Sequence, residues 1–278
     1  MPEHLRRAAV AGSWYPGTRA RIAAEVDGYL QGVSGSRPKG RILGLISPHA
    51  GLRYSGPVAA HGYGLLRGVP PCTVVMVGPS HRAAFDGVAL WATGAFETPL
   101  GRVPIDEELA AALLQPPVVD LPDVHLQEHS LEMQLPFLQI VMPGMRLVPL
   151  LMGRQDRGSV EALAGVLERG LAGRRDVLLV ASSDLSHYHP AAVANRLDGQ
   201  VVSAVDAFDA EALMTLLEGS PHQACGGGPM VAVMQAARAL GARQARVLRY
   251  ADSGDAGEHD KSRVVGYLSA ALLGPEPA

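Results

Sequence analysis

Residues 72–81 read CTVVMVGPSH. The stretch CTVVMV is apolar, rich in β-branched side chains and too short for a helix. It reads as a strand buried on both faces, which requires helices above and below the sheet. The GPSH that follows ends the strand and leaves His81 at its carboxyl end. The same arrangement occurs twice more. Residues 41–47, RILGLIS, run through Pro48 into His49, and residues 176–181, DVLLVA, run through SSDLS into His187. Helical patterns lie between and around these strands, at 20–30, 55–66, 106–114, 130–141, 160–171, 191–208, 210–217 and 229–240. Strands alternating with helices predict the α/β class and a single α/β/α layered domain with a central, mostly parallel or mixed sheet.

Apolar segments at 87–92, 146–151, 245–251 and 263–273 extend the sheet, although the last is equally compatible with some helix. Residues 31–39, 115–122 and 252–261 read as loops. The whole chain, 1–278, is expected to be one domain, with 1–40 as an N-terminal arm and helix. With 47% hydrophobic and 18% charged residues, there is ample material for a large core. A net charge of −3 and no basic run argue against a nucleic-acid partner. No uninterrupted apolar stretch reaches the roughly 18 residues of a membrane helix. The opening MPEHLRRAAV lacks an apolar signal core and is read as mature sequence. Two cysteines, Cys72 and Cys225, fit free thiols in a reducing cytoplasm better than a disulfide.

Ligands of open α/β sheets bind beyond the carboxyl ends of the strands. Three parallel strands would therefore bring His49, His81 and His187 to one edge. Neutral imidazole is the commonest protein ligand for transition metals, and Pro48 and Pro79 restrict the backbone ahead of two of the three positions. One histidine after one strand is ordinarily a polar loop residue; three in matching positions point to a metal. His189 is close enough to His187 that spacing leaves the two interchangeable. Cys225 lies in Ala224-Cys225-Gly226-Gly227-Gly228-Pro229 ahead of a helix, where a thiol leans toward the thiolate; an ordinary small residue before a helix is an equal reading. Cys72, within a strand, reads as core filler. In residues 124–138, VHLQEHSLEMQLPFL, a helix would place His129 and Glu132 on one face, as a pair supporting a ligand. Glu128 and Ser130 read equally as helix caps.

Read in order, Ala11-Gly12-Ser13-Trp14-Tyr15-Pro16, Ser47-Pro48-His49-Ala50-Gly51, Gly78-Pro79-Ser80-His81, Glu128-His129-Ser130-Leu131-Glu132, Ser183-Asp184-Leu185-Ser186-His187 and Cys225-Gly226 resemble the Memo family, including its bacterial and archaeal members called AmmeMemoRadiSam system protein B. The resemblance covers nearly the whole chain. It implies a fold similar to the class III extradiol (LigB-type) dioxygenases, whose non-haem Fe(II) is held by two histidines and a carboxylate. Memo proteins present a cysteine in place of the carboxylate, and the matching metal positions here are His49, His81 and Cys225. His187 matches the dioxygenase acid/base, with Asp184 just upstream, to orient it or to hydrogen-bond within the pocket. Trp14 and Tyr54 match aromatic residues at the pocket mouth, and His129 and Glu132 would stand nearby.

The resemblance thus implies a metal-dependent oxidoreductase, a dioxygenase of a small aromatic substrate, using Fe(II). A thiolate softens the site and admits Cu or Zn as alternatives. Two rival functions remain: a non-catalytic module for phosphotyrosine-like or other anionic aromatic ligands, including peptides, and a hydrolase pairing Ser186 or Cys225 with His187. An AMMECR-type protein and a radical SAM enzyme are implied as partners by family association alone. The run Gly226-Gly227-Gly228-Pro229 departs from vertebrate members and is expected to widen the pocket.

Overall fold

The computed structural model describes residues 4–34, 37–256 and 260–276. Parts of the expected loops at 31–39 and 252–261, with His259, lie outside these residues. In chain order the strands are β1 (Leu5–Arg6), β2 (Arg41–Ser47), β3 (Thr73–Pro79), β4 (Val88–Leu90), β5 (Ala95–Thr98), β6 (Gly101–Pro104), β7 (Val118–Asp120), β8 (Arg146–Met152), β9 (Val177–Ser182), β10 (Asp184–His189), β11 (Gln244–Asp252) and β12 (Val264–Gly274). The α-helices are α1 (Arg19–Gln31), α2 (Leu52–Tyr63), α3 (Glu107–Leu113), α4 (Leu135–Val141), α5 (Arg157–Gly170), α6 (Ala191–Asp206), α7 (Ala210–Gly219) and α8 (Gly227–Ala239).

The large sheet has the order β10-β12-β2-β9-β3-β8-β4-β7, with β11 on the other side of β12. Its centre, β2-β9-β3-β8, is parallel. Antiparallel pairings of β12 with β2 and of β4 with β8 flank it, so the sheet is mixed. Every residue of β3 is buried, as its continuous apolar run requires when helices cover both faces. Helices α1, α2 and α4 pack together on one face, and α5, α7 and α8 on the other, with α6 over β11 and β12. Asp106, Asp156 and Asp209 cap α3, α5 and α7, each accepting a backbone N–H of the first turn.

One open alternative is resolved and three expectations are revised. The segment expected at 263–273 is the unbroken strand β12, Val264–Gly274, long enough to serve β2, β10 and β11 together. The expected loop at 115–122 contains β7, paired in parallel with β4. The helix expected over 130–141 is a 3-10 turn, Glu132–Gln134, followed by α4. Pro136 marks the break between the two, in the first turn of α4, where its missing N–H costs nothing. The helix expected over 55–66 begins earlier, at Leu52, and its last residues, Gly64–Leu66, tighten into a 3-10 turn. The N-terminal segment contributes β1 to a small second sheet, β1-β5-β6. Its Arg6 is fully buried.

Candidate metal centre

Strand β9 lies between β2 and β3, with Ser47 level with Ser182 and Val77 level with Ala181. The strand ends therefore release His49, Ser182 and His81 side by side. Cys225 arrives from the turn before α8. Gly226 makes that approach feasible, because a Cβ there would stand 2.2 Å from the Ser182 carbonyl oxygen. The result is that one donor atom from each of His49, His81 and Cys225 lies within 4.8 Å of the others. Cys225 Sγ is 3.2 Å from His49 Nε2.

The two histidines are braced from behind. His81 Nδ1 lies 3.0 Å from Glu128 Oε1, and its backbone N–H donates to Oε2 at 2.5 Å. Glu128 Oε1 also accepts from the backbone N–H groups of His129 and Ser130, at 2.8 and 2.9 Å. Burial alone would raise this carboxyl, but the bonds from His81 and Ser130 outweigh it and hold Glu128 well below the usual carboxylate range. His49 Nδ1 lies 2.8 Å from Ser182 Oγ. Its backbone N–H donates to Asp184 Oδ1 at 2.7 Å, and that of Ala50 at 3.3 Å. Burial pushes Asp184 up to about 7 against those two bonds. Burial first, then the neighbouring His81 and His129, holds His49 neutral. Burial and the nearby Asp184 push the Cys225 thiol up. The thiolate expected from its place before a helix is thus overruled by desolvation, and a bound cation would be needed to draw the proton off.

A second group, His81, Glu128 and His129, also gathers within 4.8 Å. Its carboxylate Oε1 already serves the His81 ring and two backbone N–H groups, so this group braces the first. The His129 ring stacks on His81 at 4.5 Å between centroids, and Trp14 covers it at 4.2 Å. Burial holds His129 down to about 4, opposed by Glu128.

Trp14, His49, Tyr54, His81, His129, Asp184 and His187 all line one cleft of about 690 Å3. His187 lines it and His189 does not, which separates the two interchangeable candidates. His187 also sits where β10 is irregular: its pairing with β12 shifts register on both sides, and Tyr188 holds a φ of 62°. Such bulges re-aim a side chain at some backbone cost. Burial lowers the His187 imidazole below its ordinary range.

Two placements differ from expectation, and of the two roles expected of Asp184 the structure shows the hydrogen bonds within the pocket. Asp184 supports the backbone of His49 and Ala50; the acid whose charge falls on His187 is Asp198 of α6, fully buried. Asp198 accepts from Ser186 N at 2.9 Å and from the Tyr250 hydroxyl at 2.8 Å. Glu132 is fully buried away from the cleft, because the 3-10 turn rotates it off the face of His129. It pairs with Arg6 and accepts from the Tyr15 hydroxyl at 2.5 Å and the Ala9 and Val10 N–H groups at 2.8 and 3.1 Å. Gly227 and Gly228 do not widen the cleft. They are buried against Leu217 and against Met152 and Gln155, and close packing is what the missing side chains allow. Sequence reasoning gave Glu128 only a capping role and missed Ser182, Gln134 and Asp198. Glu128 opens one of the motifs and Ser182 adjoins another, but Gln134 and Asp198 carry no local signal.

The chain matches the family model described as Memo-like protein over residues 6–271. The MEMO1 family protein MTH_45 of Methanothermobacter thermautotrophicus is 39% identical over 281 residues, covering 95% of this chain and 98% of that one. A MEMO1 family protein of Sulfolobus acidocaldarius is 36% identical, with coverage of 95% and 98%. Among solved structures, an uncharacterized protein, JW3007, from Escherichia coli K12 superposes with a TM-score of 0.52 at 14% identity, covering 84% of this chain and 100% of that one. This last likeness is one of fold.

Proposed function

The chain belongs to the Memo-like protein family, and on that footing we propose that it binds one transition-metal ion through His49, His81 and Cys225 and acts as a metal-dependent oxidoreductase on a small aromatic substrate. The observation that carries the reading is the convergence of the three donor atoms within 4.8 Å from three separate segments. The donor set fits such an ion: two imidazoles and a sulfur suit Fe(II), Zn or Cu and not a hard cation such as Mg. Fe(II) is the preferred assignment, following the dioxygenase resemblance; when bound it would supply Lewis-acid and redox chemistry.

The protein's own residues have distinct tasks in this proposal. Trp14 and Tyr54 line the cleft and offer aromatic surface to a planar substrate. His187, half-buried and lowered toward the neutral form, would take a proton from a substrate hydroxyl and return it later. His129, packed between His81 and Trp14, would fill space and exclude water beside the metal position.

The test is metal content after anaerobic purification, followed by O2 uptake with catechols and related aromatics. Wild-type protein lacking stoichiometric metal would sink the metal reading, as would a His49→Ala/His81→Ala double variant that retains it. The binding-module reading draws on Arg53 and Arg263, which line the same cleft. Saturable phosphotyrosine binding by metal-free protein, measured by calorimetry, would favour it. The hydrolase reading draws less support, since Cys225 Sγ lies against His49 and Ser186 is fully buried.

A further inference from the structure

Ser182 ends β9 between the two histidine-bearing strand ends and is fully buried. Its Oγ has three polar neighbours: the Ser130 carbonyl oxygen at 2.6 Å, Gln134 Nε2 at 2.8 Å and His49 Nδ1 at 2.8 Å. A hydroxyl brings one proton and two lone pairs. A carbonyl oxygen cannot donate, so the Ser182 proton is committed to Ser130.

The amide of Gln134 also faces one way only. Its Nε2 lies 3.0 Å from the Pro48 carbonyl oxygen, which demands a donor, and its Oε1 accepts the Tyr63 hydroxyl at 2.6 Å. Gln134 therefore donates to Ser182. The remaining lone pair of Ser182 can satisfy His49 only if Nδ1 carries a hydrogen. A neutral imidazole has a single N–H, so His49 Nε2 is bare, and Nε2 is the atom facing Cys225 Sγ.

We propose that Ser182 and Gln134 are positioning residues that fix His49 as the Nδ1–H tautomer before any metal arrives. The proposal rests on the metal-centre reading given above and says why that centre takes a cation. An unprotonated Nε2 offers a lone pair and repels an anion. At His81 the acceptor facing Nδ1 is the carboxylate of Glu128. The chain from Tyr63 through Gln134 and Ser182 to His49 is buried throughout, so water does not compete for any of its hydrogen bonds.

The experiment uses full-length protein labelled with 15N-histidine and stripped of metal. The 15N shifts of the ring nitrogens separate protonated from bare positions. The expected wild-type result is a protonated Nδ1 and bare Nε2 for His49, with zinc bound at one ion per chain. Ser182→Ala removes the acceptor, and a mixed or reversed tautomer is expected with zinc affinity reduced 10- to 100-fold. A loss of packing alone would lower stability without moving the tautomer. A wild-type spectrum with Nε2 protonated overturns the proposal, whether or not the variant folds. So does a folded Ser182→Ala protein with unchanged tautomer and affinity. Wild-type protein with the stated tautomer that takes up no zinc would remove the metal reading and leave the tautomer assignment standing.

Discussion

Single atoms decide what this site can hold. Glu128 Oε1 accepts from the His81 ring and from two backbone N–H groups, so one carboxylate orients an imidazole and shapes the turn behind it. Glu128→Gln keeps the shape but exchanges a charged acceptor for an amide. The expected outcome is metal binding weakened 10- to 100-fold, read by competition with a chelator; unchanged affinity would mean that His81 is held by its backbone alone. Gly226 is as restrictive. A methyl group there would have to occupy space 2.2 Å from the Ser182 carbonyl oxygen and 2.8 Å from Ser183 Cβ. Gly226→Ala should force the Cys225 turn away from β9 and abolish stoichiometric zinc or iron, measured by elemental analysis of folded protein. Full metal occupancy in that variant would remove Cys225 from the ligand set.

At the scale of elements, the legible parts were those where local pattern and tertiary role agree. The runs at 41–47, 72–77 and 176–181 are apolar because both faces of β2, β3 and β9 are covered, and their ends gave His49 and His81 directly. β10 was illegible. DLSHYH has no apolar alternation, and it becomes a strand because β12 offers it a partner ladder. The segment around Glu132 misled for a related reason. Its helical spacing is real, but the chain enters as a 3-10 turn and places Glu132 against β1 and not beside His129. The partner, Arg6, sits more than a hundred residues away, so no window on the sequence contains the pair. This predicts a clean separation of roles. Glu132→Gln leaves the Arg6 guanidinium buried without its counter-charge, and breaking such a pair costs about 3–5 kcal/mol. The expected result is a lower midpoint in urea with an unchanged slope, and metal affinity within a few-fold of wild type once folded. Lost metal binding at unaltered stability would return Glu132 to the site.

Across the whole molecule, the convergence of imidazoles in a dry interior gives the fold a definite response to acid. His49 and His129 are held neutral chiefly by burial, and His125, beneath the small sheet, is held down to about 3. Unfolded histidines titrate near 6.5. Below that pH the unfolded chain binds protons that the folded chain refuses, so each depressed histidine contributes stability that is present above about 6.5 and is lost as pH falls toward its folded value. Asp184 works in the opposite sense. Its folded value of about 7 lies above the ordinary carboxyl range, so its burial is least costly at low pH and its contribution is lost as pH rises from about 4 to 7. His187 and His61 are lowered in the same sense; together the depressed histidines outweigh Asp184, and stability should fall on acidification between about 6.5 and 4. His125 isolates the effect, because its ring is not among the donors of the candidate centre and its one hydrogen bond, from Nε2 to the Ala89 carbonyl at 3.1 Å, can be supplied by an amide. His125→Asn should therefore flatten the profile of urea stability against pH by up to one proton, a slope of about 1.4 kcal/mol per pH unit. A variant profile parallel to wild type over that range would show that His125 is protonated in the folded protein.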